Sequence, residues 1–309
     1  MRKNRFMQKK EWRALLQLAA EQPSVCFFAP VFTPENEKDG YIRRIKAIDA
    51  ALPGDLRRFY IMGDAPEGSA AELRHIDDTH YYIRFDSFSL PERLRAYRLM
   101  HRCGTLYTHS VYRFMAGRIS PRMKAALFLP GVRHIWDVHG AVPEECRMNG
   151  DPGIAEVAEV YERLLYRRAG RIICVSRAME RHLRDKWGKT NAEFTLLPIF
   201  TPQKEHPAWK PRPEKPVILY SGGLQSWQMI PETQDLIAET MDRYSYRVFV
   251  PDPDAFLRMW GERAPLCGVT LGSRAPEEMD AEYDTCHYGL LLREDSAVNR
   301  VACPTKLIE

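Results

Sequence analysis

Residues 217–228 read VILYSGGLQSWQ, and this stretch decides the fold. Four apolar or aromatic residues end in Ser221-Gly222-Gly223, and a periodic apolar run follows through Ile230, Leu236, Ile237 and Met241. That pattern predicts a buried parallel strand, a tight glycine turn and a helix. Glycines at such a turn let backbone N–H groups approach a ligand, and the start of a helix beside them favours an anion such as phosphate. A βα turn with nothing bound stays open as the alternative, because two glycines are not a full dinucleotide fingerprint. Position favours the ligand. A second α/β unit starts here, after a proline-rich passage, and two-domain α/β proteins hold ligands in the cleft between units.

Working outward, 309 residues with 45% hydrophobic and 28% charged residues suit one large or two ordinary folded domains. No run approaches the roughly 18 apolar residues of a membrane span, and the N-terminus lacks the apolar core of a signal peptide, so a cytoplasmic protein is expected. Seven cysteines are scattered without a C-x-x-C pair, which argues against a zinc site or a disulfide framework. A formal charge of +4 gives no reason to expect nucleic acid as a partner. Arg2, Lys3, Arg5, Lys9, Lys10 and Arg13 nevertheless gather at the N-terminus with Phe6, Trp12, Leu15, Leu16 and Leu18. That is a basic amphipathic helix, either solvated or in peripheral contact with an anionic membrane.

In the first half, residues 24–30 form a strand, followed by a loop and the helix GYIRRIKAIDA (40–50). Tyr41, Ile45 and Ile48 share one face of that helix, leaving Arg43, Arg44 and Lys46 more exposed. Strands at 58–62, 81–85 and 104–109, with a helix at 91–102, imply a mainly parallel sheet covered on both sides. VRHIWDVHGAVPEE (132–145) is a strand running straight into polar residues, which puts Asp137, His139, Glu144 and Glu145 at a strand's carboxyl end, where such sheets place ligands. Gly140 adds a bare backbone amide beside the imidazole. The competing readings are a turn-capping Asp137 and an ordinary loop histidine.

Residues 154–168 predict a helix with Val157, Val160, Tyr161, Leu164 and Leu165 on its core side. A strand at 171–176 and one at 194–198 close this sheet, with Ser176 capping the helix between them. The prolines between 198 and 216 read as a semi-rigid linker. The domains are then 1–200, a linker at 201–215, and 216–309, the last with a βαβαβαβ pattern. Asp252 and Asp254 flank Pro253, and helix capping outweighs metal binding there.

DVHGAVPEE (137–145), RIICVSRAM (171–179), YSGGLQSWQ (220–228) and VNRVACPTKLIE (298–309) span most of the chain. On these segments the chain resembles a glycosyltransferase of the GT-B fold, in the family-4-like retaining group. The resemblance implies an α/β protein of two Rossmann-like doubly wound domains facing across a cleft. It implies hexose transfer from a nucleotide diphosphate sugar to a glycan or lipid-linked acceptor, as in polysaccharide biosynthesis, with no metal and no other cofactor. His139 resembles the histidine that touches the transferring sugar, beside Asp137. Gly40 resembles the glycine of the first-domain loop near the diphosphate, and Gly222 and Gly223 the turn of the second domain. The donor's nucleotide half falls on 298–309, with Asn299, Thr305 and Lys306 as binding residues and Glu309 on the ribose.

Two departures stand out. Gln225, Ser226, Trp227 and Gln228 occupy the positions where many relatives carry an Arg and a Lys, and Val301 stands where the first Glu of a Glu-x7-Glu pattern falls. A non-catalytic relative that binds a nucleotide sugar or a partner is the alternative function. A nucleotide-sugar epimerase would need a carboxylate set that the sequence does not offer. Thr305 to Glu309 reads as only the first turn of a helix, so a truncated second domain of low stability is expected.

Overall fold

The computed structural model describes residues 7–33, 40–63, 71–115, 119–126, 128, 130–199, 213–261 and 268–304. It divides into two compact units, Met1–Pro198 and Ile199–Glu309. Most of the expected linker lies outside the described residues.

The first unit runs α1 (Lys9–Glu21), β1 (Ser24–Phe28), α2 (Gly40–Ala50), β2 (Arg57–Met62), β3 (Glu72–His75), β4 (His80–Arg84), α3 (Leu90–Cys103), β5 (Thr105–His109), α4 (Tyr112–Met115), α5 (Pro121–Ala126), β6 (Arg133–Val138), α6 (Val142–Met148), α7 (Pro152–Arg168), β7 (Arg171–Cys174), α8 (Arg177–Trp187) and β8 (Glu193–Leu196). Among the described residues its strands form one sheet in the order β3-β4-β2-β1-β5-β6-β7-β8. Every pairing is parallel except β3 with β4. Chain order reverses between β1 and β5, and the carboxyl ends of those strands mark the crevice of a doubly wound sheet. The central strands are nearly continuous apolar runs because both their faces are covered. Phe27, Tyr60 and Tyr107 pack with Ile42, Ile45 and Ile48 of α2 on one side.

The N-terminal helix belongs to this core. Trp12, Leu15 and Ala19 are buried, the Trp12 ring meets Phe85 edge to face at 5.8 Å, and Trp12 Nε1 donates to the buried Glu92 at 3.2 Å. Lys9, Lys10 and Arg13 remain exposed. The apolar face of α1 is therefore not available to insert into a bilayer, and Phe6 lies outside the described residues. Any membrane contact by α1 rests on charge alone.

Two further expectations need correction, and two elements were not foreseen. Arg44 is buried, because α2 turns it inward to a carboxylate. On α7, Val157, Val160 and Leu164 are 46%, 58% and 39% exposed. The face that packs inward carries Ala155, Ala158, Glu162, Leu165 and Tyr166, since small residues let the helix approach its neighbours closely and Glu162 meets Lys186 at 2.7 Å. β3, the charged antiparallel edge strand, was not anticipated, and neither was helix α6, which VPEE begins.

His134 sits buried on β6, stacked on Phe128 at 6.0 Å, with no hydrogen-bond partner for either ring nitrogen among the described residues. Burial, with the Arg168 charge adding, pushes its pKa down to about 4. In the unfolded chain the ring takes a proton below pH 6.5, whereas in the fold it stays neutral until about 4, so stability is lost as pH falls through that window. Urea melts at pH 7.5 and pH 4.5 should show wild type losing about 2 to 3 kcal/mol more than His134→Phe. Equal losses in both proteins would rule this account out.

The second unit runs β9 (Val217–Ser221), α9 (Ile230–Thr240), β10 (Ser245–Phe249), α10 (Pro253–Trp260), β11 (Val269–Gly272), α11 (Pro276–Thr285), β12 (Tyr288–Gly289) and α12 (Ala297–Val301). Its strands are all parallel, in the order β11-β10-β9-β12. Tyr220, Ile230, Ile237, Tyr246, Val248, Phe256 and Trp260 form the core. Asp252 caps α10 by accepting from Ala255 N at 2.8 Å, the role expected of it.

Candidate functional site

α2 places Tyr41 and Arg44 one turn apart, facing the carboxyl ends of β5 and β6. Arg44 binds Asp137 with its fork: Nη2 donates to Oδ1 at 2.7 Å and Nε to Oδ2 at 2.9 Å. The same guanidinium donates to the carbonyls of Leu197 at 3.1 Å and Pro198 at 3.5 Å, tying α2 to the last segment of the unit. Asp137 is completely buried, and its Oδ2 also lies 3.1 Å from His109 Nδ1 and 3.9 Å from His139 Nε2. Burial opposes ionisation, but the two imidazoles and the guanidinium outweigh it and hold the Asp137 carboxyl well below the usual carboxylate range.

His139 follows β6 directly. Its ring stacks on Tyr41, centroids 5.2 Å apart and planes 15° from parallel, and meets His109 edge to face at 5.8 Å. Tyr41 in turn donates its hydroxyl to the His109 carbonyl at 3.1 Å. Burial drives the His139 pKa down to about 3, with the Asp137 charge opposing and the His109 and Arg44 charges assisting. The ring is therefore neutral near pH 7. Its Nε2 has no hydrogen-bond partner among the described residues, and an orphaned buried nitrogen is costly unless a ligand completes it.

The two glutamates expected at this strand end part company. Glu144 accepts from Lys186 at 2.7 Å and lies 3.3 Å from His182. Burial opposes, but these partners lower its pKa to about 2. It fastens α6 to α8. Glu145 points the other way: its Oε2 accepts from the Tyr112 hydroxyl at 2.8 Å, and its Oε1 lies over Gly140, so a β-carbon at residue 140 would make the Glu145 carboxylate shift. Burial, opposed by the Tyr112 hydrogen bond, raises its pKa.

The structure brings Asp137 and His139 together with Arg44, His109 and Tyr41, which the sequence had not placed beside them. Gly40 opens α2 with free space where a β-carbon would be. The ligand atoms of His109, Asp137 and His139 lie within 4.8 Å of one another, a spacing a metal can use. Arg44 already engages both Asp137 oxygens, however, and its charge repels a dication from that pocket.

In the second unit, Gly222 N donates to Phe249 O at 3.1 Å, and the Tyr220 hydroxyl donates to Gly223 O at 2.9 Å. The Gln225 side-chain amide lies over Gly223 where a β-carbon would sit. Asn299 is on α12, its Nδ2 donating to the Glu294 carbonyl at 2.9 Å. Thr305, Lys306 and Glu309 lie outside the described residues.

Residues 12–199, more than half of the chain, match the model of the glycosyl transferase 4-like domain. The chain belongs to this family of glycosyltransferases. No curated protein matches it in sequence. Among solved structures it is similar to Anabaena HepE in complex with UDP and glucose, at 12% identity and a TM-score of 0.59, over 87% of this chain and 74% of that one. The Escherichia coli trehalose-6-phosphate protein bound with UDP-2-fluoro glucose gives 12% identity and a TM-score of 0.53, over 87% and 78%. The Burkholderia vietnamiensis α,α-trehalose-phosphate synthase (UDP-forming) gives 11% and 0.52, over 88% and 77%. At such identities the likeness is one of fold, and the glycosyltransferase has the GT-B fold.

Proposed function

We propose that this glycosyltransferase moves a hexose from a nucleoside diphosphate sugar to a glycan or lipid-linked acceptor, with retention and without a metal. The donor is held mainly by the second unit and the acceptor mainly by the first. The observation that carries this reading is the neutral His139, which keeps a buried, unpartnered nitrogen beside the Arg44–Asp137 pair at the carboxyl edge of the sheet. A neutral imidazole offers one N–H to a sugar hydroxyl or to developing charge, and its low pKa makes it a poor proton acceptor. In a front-face reaction the leaving phosphate accepts the acceptor's proton, so no protein base is required. Arg44 on Asp137 supports the metal-free mechanism. The UDP-glucose in the complex of HepE makes UDP sugars the first donors to try.

Among the described residues no helix is long and apolar enough to cross a membrane. We place the enzyme in the cytoplasm, where thiols such as buried Cys146 and Cys174 stay reduced. An acceptor on a membrane lipid would be met through the exposed charges of α1.

Thermal melts with a panel of nucleotides and nucleotide sugars test the donor. A ligand at 100 times its dissociation constant adds about 2.7 kcal/mol, which in a protein of this size is several degrees of melting temperature. Stabilisation by a nucleotide sugar without release of the nucleotide would leave a binding protein in place of an enzyme. No stabilisation by any of the panel would end the donor reading.

A further inference from the structure

The second sheet reverses its chain order between β9 and β12, so its ligand crevice is framed by the residues that follow those two strands. β9 runs into Gly222-Gly223. β12 continues its pairing through Leu290 N, which donates to Leu219 O at 2.8 Å, and three residues later comes Arg293. The Arg293 guanidinium is half-buried. Among the described residues its Nε has no hydrogen-bond partner and no carboxylate forms an ion pair with it. Its hydrogen-bond acceptor is neutral, Asn299 Oδ1 at 3.3 Å from Nη1. Asn299 is itself fixed by its bond to Glu294 O at 2.9 Å. The nearby Asp295 is committed to Arg300 at 2.6 and 2.7 Å.

A cation withdrawn from water without a counter-ion costs free energy, and such a cost in a crevice marks an anion site. Arg293 also interacts with the Tyr220 phenol, the group that donates to Gly223 O. Burial lowers the Arg293 pKa and raises that of Tyr220 to about 12, each group moderating the other. The four residues after Leu224, Gln225 to Gln228, bring no cation to this turn.

We propose that Arg293, held by Asn299, is the cation that seats the diphosphate of the donor beside Gly222-Gly223. The proposal rests on the donor reading above and supplies its missing charge. The guanidinium fork suits two phosphate oxygens at once, and the Gln225 amide has to swing off Gly223 when the diphosphate arrives.

Calorimetry on the full chain with inorganic pyrophosphate and with UDP tests this. Wild type should bind both, and Arg293→Gln should weaken both by about tenfold to 150-fold, the effect of losing charge-assisted hydrogen bonds. Asn299→Asp puts a carboxylate against Nη1 at constant size and should cause a loss in the same range by neutralising the cation. Without ligand, Arg293→Gln should melt no lower than wild type, because a desolvated and unpaired charge has been removed. Unchanged affinity in both variants, or a wild type that binds neither probe, would overturn the proposal. If pyrophosphate binding depends on Arg293 but no nucleotide sugar is turned over, the anion seat stands and the donor reading fails.

Discussion

Arg44→Ala is expected to cost the first unit about 3 to 5 kcal/mol, the range measured when one partner of a buried ion pair is removed. Both side chains are out of water, Arg44 at 2% exposure and Asp137 at 0%. Losing the guanidinium strands a carboxylate whose other neighbours are two imidazoles, and it frees the Leu197 and Pro198 carbonyls that Arg44 holds. Arg44→Lys should recover only part of the loss, since an ammonium cannot meet both carboxylate oxygens in the plane of the fork. The double variant Arg44→Met, Asp137→Leu should be more stable than Arg44→Ala, because it removes the stranded charge along with its partner. In thermal melts a cost of 3 to 5 kcal/mol is a fall of roughly 6 to 20 °C for a unit of this size. A loss below about 1 kcal/mol in Arg44→Ala would mean that the pair contributes far less than buried pairs do.

His139→Ala is expected to slow sugar transfer by about 30- to 1000-fold, equivalent to roughly 2 to 4 kcal/mol of transition-state stabilisation. Donor affinity should hardly change, because the interaction strengthens only as charge develops at the transferring sugar. The pH profile separates this role from general base catalysis. With its pKa driven to about 3 by burial, His139 is neutral throughout the working range, and activity should show no acid limb near pH 6.5 that belongs to it. A base would show that limb in wild type and lose it in His139→Ala. Either such a limb or wild-type turnover in the variant would sink the assignment.

The buried strands were legible because a parallel strand covered on both faces needs an apolar run, which residues 24–28, 171–174 and 217–220 supply. β3 was not, since ELRH has no apolar pattern and exists as a strand only because β4 offers it an edge. Apolar spacing on α7 marked a stripe but not the direction it faces. Ala155 and Ala158 were the better guide, because close packing selects for small residues where a helix meets its neighbours. In the site, Asp137 and His139 could be found from their place after a strand. Arg44 looked like surface charge until α2 was seen to turn it toward Asp137, a pairing across 93 positions of sequence. His109 needed the strand order, because only the reversal between β1 and β5 marks its strand end as a crevice. Glu144 and Glu145 are adjacent and identical in type, and only the opposite directions of their side chains on α6 separate a fastening from a group at the site.

Strand order also sets a schedule for folding on the ribosome. β1 lies in the middle of its sheet, and its partners Arg57 and Leu106 come 33 positions after Ser24 and 80 positions after Cys26. At about 5 to 20 residues per second of synthesis, the second edge of β1 waits roughly 4 to 16 s for β5 after its own residues are made. Throughout that interval the most apolar strand of the unit, SVCFF, has one side open. The nascent chain therefore carries an unpaired aromatic edge for seconds, long enough for chaperone capture to compete with the arrival of β5.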